Sequence, residues 1–118
     1  MNKGKYVDLK TGVRFGGKEY FCALELALEL IGSKWKIMTR YQLRNGALRS
    51  SELQRRMRNI SAKMFTQTAR ALERDGLIIR EAFPIVSPRV EYSLTALGES
   101  AITVIMDLGL WGEAIGTP

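Results

Sequence analysis

Residues 49–94 constrain the fold more than any other part of this 118-residue chain. A short helical segment begins near residue 50, a turn follows, and Ser61 is placed to cap a second helix. An Asp-Gly pair ends that helix, and two strand-like runs, 77–82 and 90–94, then flank a loop with a proline near each end. Helix, turn, helix and hairpin in this order predict a winged helix-turn-helix.

The second helix has one apolar face and one polar face. Phe65, Ala69 and Leu72 recur at helical spacing and are predicted to face the core. The opposite side chains suit the major groove of DNA, because Lys and Arg donate to guanine or phosphate, Gln pairs with adenine, and methyl groups touch thymine. We therefore predict a DNA-reading surface that consists of Ser51, Ser61, Ala62, Lys63, Thr66, Gln67 and Arg70.

The loop from residue 83 to residue 89 is predicted to be the wing. Arg89 at its end is a further predicted DNA contact, with a phosphate or the minor groove as its target. Arg89 could equally pair with Glu91 or Glu81, and the sequence leaves these roles open.

Two helix-patterned segments outside this unit are more apolar than one small domain needs. In residues 21–31 only two glutamates interrupt the apolar surface, and in the segment from Ala96 to about Trp111 the apolar residues follow a heptad-like spacing. We therefore predict a homodimer, whose two-fold symmetry presents two reading helices to two half-sites. The predicted dimer surface consists of Leu24, Leu28, Leu97, Ala101, Val104, Leu108 and Trp111.

The predicted fold class is α+β, mostly α: a winged helix-turn-helix with N- and C-terminal dimerisation helices. Residues 1–18 are polar and glycine-rich, which predicts a flexible N-terminal arm, either loose or laid along DNA or a partner. Residues 19–118 are predicted to form a single domain. Within it, a helix that Ser33 is placed to cap carries Trp35, which is either a core anchor or a ligand platform.

Composition narrows the classes of function. A net charge of +6 and a pI near 9.8 favour a polyanionic partner such as nucleic acid. One cysteine and no histidine exclude an internal disulfide, a Cys/His zinc site and any triad that needs histidine. We also find no phosphate loop, so we predict neither an enzyme nor a bound metal or cofactor. No apolar run suits a signal peptide or a membrane span, which favours a cytoplasmic protein with no membrane partner.

Cys22, the single cysteine, has two interpretations. A sensing thiol needs partial exposure and positive neighbours; Lys18 is close in sequence, but so are Glu19 and Glu25. The alternative is a buried cysteine that acts as a small, inert hydrophobic residue.

Taken together, the residues described above resemble the HxlR family of bacterial winged-helix regulators, relatives of the MarR group. The resemblance covers about residues 22–111. Its most specific motifs are Gly-Ser-Lys-Trp-Lys at 32–36, Ile-Ser-Ala-Lys-Met at 60–64 and Pro-Arg-Val-Glu-Tyr at 88–92. It implies a cytoplasmic, DNA-binding transcriptional regulator that dimerises through its first and last helices. It also implies a sensing role for Cys22, because some members detect oxidants or electrophiles with a cysteine at that position. The chain departs from the family pattern at Ala23, Arg40, Ser50 and Ile85.

We therefore predict a sequence-specific transcriptional regulator that binds double-stranded DNA, at a pseudo-palindromic operator, as a homodimer. The alternative is a winged-helix module that docks an acidic protein and does not bind DNA. The sequence gives neither the operator nor the direction of regulation. It does not identify a small-molecule effector, and a cavity beside the dimerisation helices is where we would look for one.

Overall fold

The computed structural model describes residues 4–85 and 88–117, and the chain divides into two units, Met1–Gly32 and Ser33–Pro118. The first unit contains β1 (Thr11–Phe15), β2 (Lys18–Cys22) and α1 (Ala23–Ile31). The second contains α2 (Lys34–Gln42), β3 (Leu48–Arg49), α3 (Ser50–Arg56), α4 (Ala62–Arg74), β4 (Ile78–Phe83), β5 (Arg89–Leu94), α5 (Ala96–Ser100) and α6 (Ile102–Ile115). Within the described part of the chain, no helix combines the length and the apolar character needed to cross a bilayer.

The first unit begins with an antiparallel hairpin in which Phe15 of β1 pairs with Lys18 of β2. Gly16 and Gly17 connect the strands with φ values of 58° and 77°, as a two-residue type I′ turn requires. The prediction of a flexible arm is therefore wrong for residues 11–18, because two of the four glycines that indicated flexibility, Gly16 and Gly17, are the turn residues of a hairpin. The boundary between the two units also falls after Gly32 rather than after residue 18. Residues 1–3 of the predicted arm lie outside the described residues.

Polar contacts link the hairpin to α1. The Tyr20 hydroxyl donates to Glu29 Oε2 at 2.5 Å, and Lys18 Nζ donates to Glu29 Oε1 at 3.0 Å. The hydrogen bond from Tyr20, followed by that from Lys18, holds the pKa of the Glu29 carboxyl below its ordinary value. Leu24 and Leu28 on the same helix are 52% and 61% exposed, so α1 presents apolar side chains to solvent in this single chain.

The core of the second unit lies between the helices and a three-stranded antiparallel sheet of order β3-β5-β4. Phe65, Ala69 and Leu72 are buried, which confirms the apolar face predicted for α4. Trp35 packs against the core, so its role is that of a core anchor. The buried cluster consists of Leu43, Leu53, Met57, Phe65, Ala69, Leu72, Leu77, Ile78 and Tyr92.

Helix α2 packs against both α4 and α6. Ser33 is its N-cap residue, as predicted, although the side chain makes no capping hydrogen bond. Thr39 Oγ1 lies 2.7 Å from the carbonyl oxygen of Trp35 and 3.3 Å from Sδ of Met57, which joins α2 to the end of α3. Arg40, one of the departures from the family pattern, is only 1% exposed, and burial lowers the pKa of its guanidinium.

The predicted C-terminal helix is two helices, α5 and α6, divided at Ala101. The side chain of Thr95 caps α5 by accepting from the Gly98 amide at 3.0 Å, and it donates to the Gly76 carbonyl at 2.6 Å. Leu97 packs against the core, so the predicted dimer stripe is not one continuous face through Leu97 and Ala101. The members of that stripe that lie on α6 are exposed: Val104 by 53%, Leu108 by 44% and Trp111 by 63%.

Candidate nucleic-acid interface

The orientation of α4 follows from its cap and its buried face. Ser61 Oγ accepts a hydrogen bond from the Met64 amide at 3.0 Å, which confirms the predicted N-cap. Phe65, Ala69 and Leu72 anchor the inner side in the core. The predicted reading side chains are consequently all exposed on the outer side of the helix: Ala62, Lys63, Thr66, Gln67 and Arg70.

The start of α4 also offers backbone donors. The first amides of a helix have no partner within the helix and lie at the positive end of its dipole, which together favour an anion such as phosphate. Met64 N is taken by the Ser61 hydroxyl, and the Phe65 amide donates to the Ser61 carbonyl at 2.9 Å. The Ser61 side chain therefore acts as a cap, and the amides of Ala62 and Lys63 precede the first hydrogen-bonded turn.

Helix α3 presents Ser51, which is exposed, at its beginning. Glu52 next to it pairs with Arg55 and with Arg56, whose Nε lies 2.8 Å from Glu52 Oε2. The hydrogen bond from Arg56, followed by that from Arg55, lowers the pKa of the Glu52 carboxyl. These two arginines are therefore partly neutralised within their own helix.

Residues of α3, α4 and the hairpin β4–β5 line two adjoining grooves. The larger, of about 680 Å³, has Ser51 and Arg89 in its lining; the smaller, of about 460 Å³, has Thr66 and Arg70. Both grooves share four lining residues: Ser50, Gln54, Arg80 and Tyr92. The structure thus brings four of the predicted contact residues around one continuous concave surface, and Ala62, Lys63 and Gln67 lie on the helix outside it.

Arg89 is held at the base of the wing. Its Nε donates to Glu91 Oε2 at 2.8 Å, and its guanidinium lies over the Phe83 ring at 4.4 Å from the centroid. Of the two pairing partners considered from the sequence, Glu91 and Glu81, Arg89 pairs with Glu91. A guanidinium has five N–H donors, so this pairing leaves others for a phosphate. Residues 86 and 87 of the predicted wing lie outside the described residues.

Arg49, Gln54 and Arg80 line the grooves but were not predicted from the sequence. Arg80 of β4 is paired with Tyr92 of β5, and both residues line the two grooves. The linings of the two grooves contain four arginines, Arg49, Arg70, Arg80 and Arg89, and one carboxylate, that of Glu73. This excess favours a polyanion over a neutral or acidic ligand.

Cys22 lies at the junction of two elements in the first unit. It is the last residue of β2 and the N-cap residue of α1, it is half-buried, and its side chain makes no capping hydrogen bond. The Phe21 amide donates to Glu25 Oε1 at 2.8 Å, so a carboxylate lies near the same helix start. The structure thus gives Cys22 the partial exposure that a reactive thiol needs.

No group of three or more His, Cys, Asp or Glu side chains in the described ranges is arranged to hold a metal ion. The predicted reading surface consists mainly of hydroxyl, amide and cationic side chains, a donor set that suits phosphate and base edges rather than a cation.

Comparison with known sequences places the chain among helix-turn-helix proteins. Residues 30–118 match the family model described as HxlR-like helix-turn-helix. An HTH-type transcriptional regulator from Methanothermobacter thermautotrophicus is 45% identical over 107 residues, which cover 91% of this chain and 82% of that protein. The HTH-type transcriptional regulator YkvN from Bacillus subtilis is 46% identical over 95 residues, which cover 80% of each protein.

Comparison with solved structures also finds transcriptional regulators. A MarR-family transcriptional regulator from Porphyromonas gingivalis W83 aligns with a TM-score of 0.77 and 33% identity, over 80% of this chain and 93% of that one. The oxidized form of the redox regulator HypR aligns with a TM-score of 0.76 and 36% identity, over 82% of this chain and all of that one.

Proposed function

This chain belongs to the HxlR-like helix-turn-helix family, and on that premise we propose that it is a homodimeric transcriptional regulator that binds a pseudo-palindromic operator in double-stranded DNA. The observation that carries the proposal is the outer face of α4, which is polar, exposed and flanked by two grooves with arginines in their linings. Relatives described as HTH-type transcriptional regulators support the same function.

In this proposal α4 enters the major groove. Lys63, Gln67 and Arg70 lie on its exposed side at positions that allow contact with base edges or phosphates. Ser51 at the start of α3 and Arg89 at the base of the wing contact the backbone on either side and fix the orientation of α4. Arg49 and Arg80 extend the phosphate-binding surface between them.

The dimer follows from the apolar side chains that a single chain leaves in solvent. Leu24 and Leu28 on α1, and Val104, Leu108 and Trp111 on α6, are each at least 44% exposed. Burial of such side chains is favourable by about 25 cal/mol per Å² of apolar surface, so a second copy that covers them stabilises the assembly. Two-fold symmetry then places two α4 helices at two half-sites.

The test is the retardation of DNA from upstream of the gene that encodes this chain, in the presence of excess non-specific DNA. The triple variant Lys63→Ala/Gln67→Ala/Arg70→Ala should bind about 100-fold more weakly, at roughly 1 kcal/mol for each lost contact. Affinity of the unchanged protein should also fall steeply with added salt, because each neutralised phosphate releases counterions.

A matched control is the double variant Lys34→Ala/Lys36→Ala, which removes an equal number of positive charges, two, from α2. Its affinity should change far less, since α2 lies away from the grooves. Sequence-specific retardation retained by the triple variant would contradict the proposal. Capture of an acidic protein, with no retardation of any promoter DNA, would favour the protein-interaction module instead.

We also propose that Cys22 makes the regulator responsive to thiol oxidants. Its half-buried position and the similarity to the redox regulator HypR support this role. Because the chain has one cysteine, a disulfide forms only with a thiol of another molecule. In that step two thiols give one disulfide, and an oxidant such as diamide takes up the two electrons and two protons.

Diamide with a small thiol should add the mass of that thiol less two hydrogens to the chain and change its affinity for the operator. The Cys22→Ser variant should show neither change but keep its DNA binding. An equal effect of diamide on the affinity of both proteins would exclude Cys22 as the sensor.

A further inference from the structure

A groove of about 420 Å³ lies between α2 and α6, away from the DNA-reading surface. Its walls are mainly apolar and include Leu108, which also belongs to the proposed dimer surface. Its volume is in the range of sites that hold small molecules. Two of the wall residues, Met38 and Met106, have flexible thioether side chains that adapt to ligands of different shape. Gly109 adds open space, because a Cβ there would meet no atom within 4 Å.

The residues that line this groove carry one negative charge. Glu113 is the charged residue in its lining, and within residues 4–85 and 88–117 it forms no ion pair. Glu113 lies in the last turn of α6, which contains no basic residue, and the C-terminal end of a helix itself carries partial negative charge. The Arg44 guanidinium is close by, but it lies over the Tyr41 ring at 3.9 Å and donates to the Tyr41 carbonyl.

We propose that this groove binds an amphipathic organic cation, with its apolar body between Met38 and Met106 and its protonated amine beside Glu113. The apolar walls supply the affinity through the hydrophobic effect, and the carboxylate selects for positive charge. A neutral or anionic compound of the same shape makes the same apolar contacts but gains nothing from Glu113.

The groove is connected to the reading helix. Helix α2 forms one wall, packs against α4, and reaches the end of α3 through Thr39 and Met57. A ligand that shifts α2 would therefore change the placement of α3 and α4. This regulatory consequence rests on the proposed DNA-binding function, whereas the binding site itself does not.

The experiment uses two small probes with the same ring and opposite charge, 1-naphthylmethylamine and 1-naphthylacetate, added to the full-length protein without DNA. Binding is followed by chemical-shift changes in the protein's NMR spectrum. The amine should bind about two- to fivefold more tightly than the acetate, the range expected for one solvent-accessible charge pair. The shifts should be centred on the residues of α2 and α6 that line the groove.

Three variants separate the contribution of the Glu113 charge to probe binding from that of the apolar groove. Glu113→Gln should abolish the preference for the amine, whereas Asp107→Asn, which removes the same charge from the same helix outside the groove, should keep it. Gly109→Leu should fill the groove and weaken both probes. The last variant is expected to fold, because leucine has a higher helix propensity than glycine and the space at this position is open.

Equal binding of the two probes, or a preference that survives in Glu113→Gln, would overturn the proposal. Failure of both probes to bind, together with solvent protection of Met38 and Met106 in the dimer, would overturn it in favour of a second copy covering the groove. Charge-selective binding by a protein that retards no DNA would support the site and refute the proposed function instead.

Discussion

Replacement of Gly98 by alanine tests how α5 is attached to the hairpin β4–β5 and to the end of α4. A Cβ at position 98 would lie 2.0 Å from the Leu77 carbonyl oxygen, which is backbone and cannot rotate away. To reach an ordinary contact distance, α5 and the Leu77 backbone must separate by more than about 1 Å.

The size of the expected loss in stability follows from the hydrogen bonds that this separation would disturb. Thr95 N donates to the Leu77 carbonyl at 3.2 Å, and the Thr95 hydroxyl donates to the Gly76 carbonyl at 2.6 Å. Loss of these two bonds and of some packing costs about 3 kcal/mol, and the better helix propensity of alanine returns about 1 kcal/mol. The free energy of unfolding should therefore fall by about 2 kcal/mol, and Tm by about 8 °C for a chain of this size.

Urea denaturation followed by circular dichroism, at one fixed protein concentration, measures this difference. Gly112→Ala is the matched control, because a Cβ there meets no atom within 4 Å. That variant should gain about 0.5–1 kcal/mol from helix propensity alone. A Gly98→Ala protein whose stability lies within about 0.5 kcal/mol of the unchanged protein would refute the reasoning.

Two further predictions concern a cap and a carboxylate. Ser61→Ala should lower the free energy of unfolding by about 1 kcal/mol in the same assay, because it removes the acceptor for the Met64 amide. The control Ser33→Ala should lower it less, since the Ser33 side chain makes no capping hydrogen bond. Equal losses of stability in the two variants would contradict this prediction. Glu29 has a pKa below its ordinary value, so the stabilisation that its carboxylate provides is present above the ordinary carboxyl pKa and is lost as pH falls through the lowered one. Tyr20→Phe removes the first cause of that shift, and the Glu29 pKa, measured by NMR titration of the side-chain carboxyl, should rise; an unchanged pKa would show that the hydroxyl does not hold the carboxylate.

Helix α4 was predictable because its signals are local. A cap at Ser61, three apolar residues at helical spacing and a following turn are all encoded within about fifteen residues, and the structure places each of them as expected. Helix periodicity divides the side chains into an inner and an outer face without any knowledge of the neighbouring elements. The exposure of Lys63, Gln67 and Arg70 follows from that division.

The hairpin at residues 11–22 carries a local signal too, but the glycine-rich composition of the same segment favours a flexible arm. Two adjacent glycines between short runs with β-forming residues are the usual requirement of a type I′ turn. The same glycines raise the flexibility expected of an isolated segment. Pairing of β1 with β2, in which Val13 is opposite Tyr20, fixes the backbone that glycine composition alone would leave free.

By itself the sequence determined the succession of helix, turn, helix and hairpin from α3 to β5, the faces of α4 and the family to which the chain belongs, because caps, periodicity and short motifs act over neighbouring residues. Only the tertiary structure decided the break at Ala101 and the grooves that Arg49 and Arg80 line. Helix α5 packs on β5 and against Leu77, whereas α6 packs against α2 and buries Ile105. One straight helix cannot make both sets of contacts. The heptad-like spacing of the apolar residues does not indicate that the helix must break. The positions of Arg49 and Arg80 likewise depend on strand pairing between residues more than ten positions apart, which local sequence does not specify.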